Sequence, residues 1–171
     1  HFLEKNPAVK LAFQPGTFQM RLGVKRLQKL YRHTELFAVN KEEAQLVTGI
    51  KSDNIAELAK ELHSYGPKLV VITDGPHGSY ASDGSRVLMM RNYPDPKPPY
   101  ERTGAGDAYT STFVGCIAMG LPLEEAMRWA PINAMSVVQK IGAQAGLLDK
   151  AELKRWLNKA PADYQPRPYK A

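Results

Sequence analysis

Two glycines frame one alanine directly before an aspartate in the TGAGD segment at 103–107, and an apolar run follows at 108–119. Glycine permits a tight turn and lets an incoming group approach the backbone amides closely. The first amides of a helix lack internal partners, and the helix dipole adds positive potential there. A helix that begins here therefore suits a phosphate or a developing anion, and the Asp107 carboxylate suits a general base. A plain helix start, with Asp107 favourable to the dipole, is the alternative.

A second polar cluster, Asn40-Lys41-Glu42-Glu43, follows a short apolar strand and opens a predicted helix. Asn40 is a favourable helix cap, and Glu43 stands at the capping-box position three residues later, so capping alone explains both residues. The same pair also suits a Mg²⁺ ion, which binds through few carboxylates, several waters and phosphate oxygens. The residues by themselves leave both interpretations open.

Two further segments carry candidate nucleotide contacts. Thr73, Gly75 and Gly78 belong to a glycine-bearing turn after a buried strand, which favours either a nucleotide-contacting loop or an ordinary strand-to-hairpin turn. Asn133 and Gly142 lie on and after a long helix, where small residues permit either close helix packing or the insertion of a flat adenine. Gly142 is predicted to end that helix in the left-handed conformation.

The elements that must position these residues alternate between strand and helix. Apolar runs predict strands at 9–14, 36–39 and 69–73 and a hairpin at 79–81 and 87–90. Helices are predicted at 20–32, 41–48, 54–62, 106–119, 123–140 and 150–159, with Pro131 expected to kink or cut the fifth. This order indicates an α/β fold, a mostly parallel sheet with helices on its faces, whose ligands bind at the carboxyl ends of the strands. Gln14, Asn40 and Thr73 all fall at such ends.

Composition narrows the function classes. The 171 residues are 43% hydrophobic and 23% charged, with a net charge of +6 from scattered basic residues. No apolar run is long enough for a membrane helix, and no motif supports nucleic-acid binding. We therefore expect the chain to bind neither a membrane nor nucleic acid. The single cysteine, Cys116, fits a reducing compartment, and with no secretory leader we expect a cytoplasmic protein. The four histidines show no metal-ligand spacing.

Taken together, these motifs resemble the ribokinase-like (PfkB) family of sugar and nucleoside kinases, over roughly residues 9–148. The match lies in the 103–108 segment, supported by the NxxE pattern at 40–43, the TDG turn at 73–75 with Gly78, and the later Asn-Ala and Gly-Ala pairs. The resemblance implies a Rossmann-like three-layer α/β/α fold. It also implies ATP and Mg²⁺ as cofactors and transfer of the γ-phosphate to a sugar or nucleoside hydroxyl.

The resemblance also assigns roles to residues. Asp107 would be the general base, and the amides of Ala105, Gly106 and Asp107, after the turn at Gly104, would form the anion hole. Asn40 and Glu43 would organise Mg²⁺ and the phosphates. Thr73, Gly75 and Gly78 would touch the nucleotide, with Asn133 and Gly142 near its adenine.

The sequence departs from the family pattern before the glycine motif and at its beginning. Relatives usually carry Asp-Thr where this chain has Glu101-Arg102, a stretch that often helps hold a monovalent cation, so K⁺ is left open as a third cofactor. The family's amino-terminal Gly-Gly substrate motif and its lid have no counterpart here. We therefore expect residues 1–160 to be the carboxy-terminal part of a kinase domain and 161–171 an irregular tail.

Three expectations concern the chain as a whole. Without a lid it should bind nucleotide yet turn over poorly, and its acceptor stays unspecified among sugars and nucleosides. Sheet edges left without their neighbours favour self-association, so a homodimer is one expectation. The alternative function is a non-catalytic nucleotide-binding domain that keeps the kinase fold.

Overall fold

The computed structural model describes residues 2–170 as alternating strands and helices followed by a helical second half. The helices are α1 (Phe2–Lys5), α2 (Thr17–Leu22), α3 (Val24–Arg32), α4 (Lys41–Thr48), α5 (Ile55–Ser64), α6 (Ala105–Ala118), α7 (Leu123–Val137) and α8 (Lys150–Asn158). The strands are β1 (Leu11–Phe13), β2 (Thr34–Asn40), β3 (Leu69–Thr73), β4 (Ser79–Ser82), β5 (Val87–Met90) and β6 (Arg167–Pro168). A short 3₁₀ turn spans Gly75–His77.

The strands form one sheet in chain order, β1-β2-β3-β4-β5-β6. The first three strands are parallel, and their register sets Asn40, the last residue of β2, beside Thr73, the last residue of β3. Strands β4 and β5 are neighbours joined by only four residues, which is too short for a crossover and therefore makes a hairpin. The predicted parallel strands followed by a hairpin are confirmed.

The described chain divides into two compact units. The first contains the residues up to Asp74 together with Tyr80–Leu88 and the residues from Pro168. Its core includes the buried strands β2 and β3 and an aromatic cluster in which Phe13, Tyr31 and Phe37 meet with ring centroids 5.2–5.8 Å apart. Such rings contribute both apolar burial and favourable edge-to-face geometry.

The second unit, formed by Gly75–Ser79 and Met89–Arg167, is built on the packing of α6 against α7. Pro131 lies buried inside α7, which runs continuously from Leu123 to Val137, so the proline does not cut the helix. The hydroxyl of the buried Tyr164 donates a hydrogen bond to the Arg128 carbonyl, three residues before the proline. That hydrogen bond brings a side-chain donor to the turn before the proline, whose missing N–H would otherwise have bonded to the Met127 carbonyl.

Several predicted boundaries were wrong. The helix predicted at 20–32 is two helices, α2 and α3, because Gly23 between them has φ 77°. Helix α7 ends at Val137, so Gly142 does not cap it, although Gly142 does have a left-handed φ of 96°. The tail holds the two-residue strand β6 and the fully buried Tyr164. In residues 2–170 no helix has both the length and the apolar character needed to cross a membrane.

Candidate active site

Gly104 caps the start of α6 in a conformation that only glycine adopts easily. Its φ is 81°, and a Cβ added there would lie 2.7 Å from both the Cβ and the carbonyl oxygen of Ala143. Ala105 follows as the first helical residue, but its N–H donates to the Arg102 carbonyl at 3.2 Å. Its amide is therefore engaged, which argues against the predicted place of Ala105 among the anion-hole donors.

Gly106 and Asp107 occupy the next two positions of the first turn, and both are exposed. A Cβ added at Gly106 would meet no atom within 4 Å, so the space beside this amide is open in the described chain. The positive end of the helix dipole lies at these first-turn positions and favours negative charge beside them. The helix start thus combines an open backbone approach with a carboxylate.

The segment before α6 is tied to the segment after α7 at successive points. The Gln139 side-chain amide donates to the Lys97 carbonyl at 2.9 Å, and the Tyr100 N–H donates to the Val138 carbonyl at 2.8 Å. Further along, the Gly142 N–H donates to the Glu101 carboxylate. The contact of Gly104 with Ala143 described above continues this series.

In the first unit, Asn40 and Glu43 form a reciprocal capping box at the start of α4. The Glu43 N–H donates to Asn40 Oδ1 at 2.8 Å, and the Asn40 N–H donates to Glu43 Oε2 at 2.9 Å. Helix capping, the alternative explanation for these two residues, is therefore observed in the structure. The alignment of Asn40 with Thr73 nevertheless sets two polar side chains next to each other at the carboxyl ends of parallel strands, as predicted.

An ion pair stands directly beyond these two strand ends. Lys41 Nζ lies 3.6 Å from Asp74 Oδ2 and 2.9 Å from Asp53 Oδ1. The hydrogen bond to Asp53 and the nearby Asp74 raise the pKa of Lys41 above its usual value. Sequence reasoning missed this pair, although the parallel register of β2 and β3 sets the residues that follow Asn40 and Thr73 near each other.

The fit of a magnesium ion depends on Glu43. Among residues 2–170 no group of three or more His, Cys, Asp or Glu side chains is arranged to hold a metal. One oxygen of Glu43 is committed to the capping box, which leaves the other for a ligand. A single carboxylate suits Mg²⁺, because this ion keeps several waters and is held largely by substrate phosphates.

The two glycines of the 73–78 turn differ in their surroundings. A Cβ at Gly78 would collide with the carbonyl oxygen of Met90, so close packing alone requires that glycine. Gly75 is exposed, an added Cβ there would meet nothing within 4 Å, and its carbonyl accepts a hydrogen bond from Asn92 at 2.9 Å. Of the two, only Gly75 presents backbone to open space.

Asn133 is 5% exposed, and both ends of its side-chain amide are occupied. Its Nδ2 donates to Thr112 Oγ1 at 2.8 Å, and its Oδ1 accepts the Leu148 N–H at 3.0 Å. Asn133 also lines a largely apolar cavity of about 330 Å³ formed by α6, α7 and the 147–153 segment. Cys116 lies in the same wall, and burial raises its pKa to about 11.

The α/β fold, with a glycine-capped helix and an aspartate in the first turn of that helix, agrees with that of a ribokinase-like protein. The chain belongs to the pfkB family of carbohydrate kinases, whose model matches residues 14–151. The resemblance and the fold class predicted from the sequence are both confirmed.

Named relatives are kinases of sugars and nucleosides. The chain is 34% identical over 120 residues to a cytidine kinase of Thermococcus kodakarensis, a match that covers 68% of the chain and 41% of that protein. It is 25% identical to an Arabidopsis thaliana ribokinase solved with ribose and ATP, with a TM-score of 0.70, 76% of the chain and 43% of the ribokinase covered. A Burkholderia thailandensis nucleoside kinase solved with inosine shares the fold at 22% identity and a TM-score of 0.78. The match covers 96% of this chain and 52% of the nucleoside kinase. The chain thus spans about half or less of the length of these relatives.

Proposed function

We propose that the chain carries the nucleotide-binding and catalytic part of an ATP-dependent kinase that phosphorylates a hydroxyl of a sugar or nucleoside. Membership of the pfkB family and relatives named as ribokinase and cytidine kinase support this reaction class. A neighbouring fold, a putative ribokinase II from E. coli, is solved with ATP and Mg²⁺, which supports the same pair of cofactors.

The observation that most directly supports the proposed kinase reaction is the open space at Gly106. A glycine inside a helix costs about 0.5–1 kcal/mol relative to alanine. Gly106 has no left-handed φ, and no atom of the described chain occupies the space of its missing Cβ. The fold itself therefore gives no reason for a glycine here, whereas a phosphoryl group that approaches the amide closely does.

In this proposal Asp107 accepts the proton of the acceptor hydroxyl as it attacks the γ-phosphate. The amides of Gly106 and Asp107 stabilise the negative charge that develops on the transferred phosphoryl group, since phosphoryl transfer depends chiefly on positioning and charge stabilisation. Gly104 and Ala105 set the geometry of the turn, because the first is packed on Ala143 and the second hydrogen-bonds to Arg102. Loss of a positioned base typically costs roughly 10²–10⁴ in rate.

We assign the remaining site residues either to the phosphates of ATP or to its nucleotide base. We assign Asn40, Thr73 and Glu43 to the phosphates, with Glu43 also holding Mg²⁺, which when bound neutralises phosphate charge. Gly75 offers its open backbone to the nucleotide, while Gly78 supports the turn.

For the nucleotide base we assign the cavity beside Asn133, whose volume of about 330 Å³ falls at the lower end of small-molecule sites. Asn133 then holds the cavity wall through Thr112 and Leu148 instead of binding the base itself.

The other expectations stay proposals. The Glu101 carboxylate accepts the Gly142 N–H through one oxygen, which leaves the other for a ligand, so K⁺ stays a prediction. Cytoplasmic location and a homodimer stay predictions, the second of which sedimentation of the 171-residue chain would test.

The test is calorimetric binding of Mg·ATP to the 171-residue chain, followed by transfer of labelled γ-phosphate to ribose, cytidine and inosine. We expect Asp107→Asn to bind Mg·ATP within a few-fold of the unaltered chain but to lose about 10²–10⁴ in transfer rate. Glu124→Gln, at the start of α7, is the matched carboxylate-to-amide control and should keep both properties. Unchanged transfer in Asp107→Asn would overturn the assigned base, and binding with no transfer to any acceptor would favour the non-catalytic alternative.

A further inference from the structure

We propose that Glu101 is a positioning residue that fixes the start of α6 for phosphate binding by holding the segment after α7 through the Gly142 N–H. This proposal rests on the function proposed above.

The first step is the direct contact. The Glu101 carboxylate accepts the hydrogen bond of the Gly142 N–H, while Gly142 itself has a left-handed φ of 96° and is exposed. An exposed glycine in an irregular segment has few constraints of its own, because it combines the least restricted backbone with few packing contacts. The hydrogen bond to the Glu101 carboxylate therefore supplies much of the restraint on this segment.

The second step leads from Gly142 to the helix start. Ala143, the next residue, is the one on which Gly104 packs so closely that no Cβ fits between them. Any displacement of Ala143 therefore removes one wall of the turn that begins α6. Glu101 and Gly104 thus contact two consecutive residues of the 142–143 segment, and the carboxylate sets the distance between the two segments.

The third step concerns the length of the side chain. Glu101 reaches Gly142 with one methylene more than aspartate possesses, so an aspartate at this position would end about 1.5 Å short of the same contact. Glutamine keeps the length and retains an acceptor oxygen while it loses the charge. The two conservative variants therefore separate the reach of the side chain from its charge.

The experiment compares Mg·ATP affinity by calorimetry in the unaltered 171-residue chain and in Glu101→Gln, Glu101→Asp and Glu101→Ala. We expect the glutamine variant to bind within about threefold of the unaltered chain and the aspartate and alanine variants to bind about tenfold more weakly. Amide hydrogen exchange at Gly142 should quicken in the same two variants and not in the glutamine variant.

Gln139→Ala is the matched control. It removes another tie between the same two segments, the hydrogen bond to the Lys97 carbonyl, at a place away from the glycine turn. We expect it to lower the melting temperature about as much as Glu101→Ala while Mg·ATP affinity changes by less than about twofold.

Two patterns would overturn the proposal. If Glu101→Asp binds normally and Glu101→Gln does not, the charge acts by itself and reach is irrelevant. If all three Glu101 variants keep the Mg·ATP affinity of the unaltered chain and lose no more melting temperature than Gln139→Ala, the contact is merely structural. A failure of the unaltered chain to bind Mg·ATP at millimolar concentration would instead refute the proposed function, and the exchange rate at Gly142 would still report whether the contact exists.

Discussion

Gly104 and Gly106 stand two residues apart in the same motif, yet the structure predicts opposite consequences for replacing each by alanine. At Gly104 an alanine must adopt φ 81°, which costs about 1–2 kcal/mol, and its Cβ must displace Ala143 from 2.7 Å. Overpacking of that kind typically costs about 1–3 kcal/mol more. We therefore expect Gly104→Ala to lower the free energy of unfolding by about 2–5 kcal/mol, a large part of the stability of an ordinary domain.

At Gly106 an alanine has a helical backbone and open space around its Cβ. We expect Gly106→Ala to leave the free energy of unfolding unchanged or to raise it by about 0.5–1 kcal/mol, since alanine is the better helix former. Its methyl group would nevertheless stand where the proposed phosphoryl group approaches, so Mg·ATP affinity should fall about tenfold or more. Stability and binding should thus separate at this position.

The assay is urea unfolding followed by the fluorescence of Trp129 and Trp156, the two tryptophans of the chain, both of which lie in the second unit. With a slope of about 2 kcal/mol per molar urea, Gly104→Ala should lower the midpoint by roughly 1–2.5 M, whereas Gly106→Ala should not lower it. Equal losses of stability at both positions would refute the assignment of separate roles. A Gly106→Ala chain that binds Mg·ATP normally would refute the open amide as a phosphate contact.

Three further changes are measurable with the same unfolding and binding assays. Asn133→Ala should cost about 2–3 kcal/mol, because it removes two hydrogen bonds and leaves the Leu148 N–H without its acceptor. Gly115 lines the cavity with open space at its Cβ, so Gly115→Ala should stabilise α6 by about 0.5–1 kcal/mol while Gly115→Leu fills the cavity and abolishes nucleotide binding. If instead Gly115→Leu binds Mg·ATP normally, the base lies elsewhere. The buried thiol of Cys116 has its pKa raised from 9.0 to about 11, so the unfolded chain loses this proton first and stability should fall between pH 9 and 11. Cys116→Ala should show a smaller fall over that range, and an identical profile would contradict the buried neutral thiol.

The elements that the sequence predicted well are those whose ends are marked by residues with a clear role, such as a helix cap or a left-handed glycine. Helix α4 begins and ends where the cap at Asn40 and the left-handed Gly49 require, and β3 is a buried apolar run bounded by polar residues. The helix predicted at 20–32 failed because its apolar spacing continues through Gly23, whose φ of 77° no periodicity reveals. The spacing of apolar residues thus predicts the extent of a helix only where no residue within it has a non-helical backbone torsion.

The candidate site shows the same limit at the level of side chains. The motif residues were found from sequence because glycines and polar residues at strand ends are local features. The ties of Glu101 to Gly142 and of Lys41 to Asp74 join residues 41 and 33 positions apart in the chain, so they depend on register and packing that the sequence does not state. Lys41 could have been found from the alignment of β2 with β3, since the residues that follow Asn40 and Thr73 must then lie near each other.

Helix α6 has a glycine at its cap position and two more within the helix, and the surroundings of these three glycines distinguish folding from ligand binding more sharply than the motif itself does. Gly104, the cap, is required by the fold, since its φ and its contact with Ala143 exclude any side chain. Gly106 and Gly115 have helical backbones and open space, and each weakens α6 by about 0.5–1 kcal/mol relative to alanine without a compensating contact in the described chain. One of them lies at the exposed helix start and the other in the cavity wall. Because the helix would be more stable with alanine at both positions, the fold gives no reason for either glycine, and the phosphoryl group proposed beside Gly106 supplies one at that position.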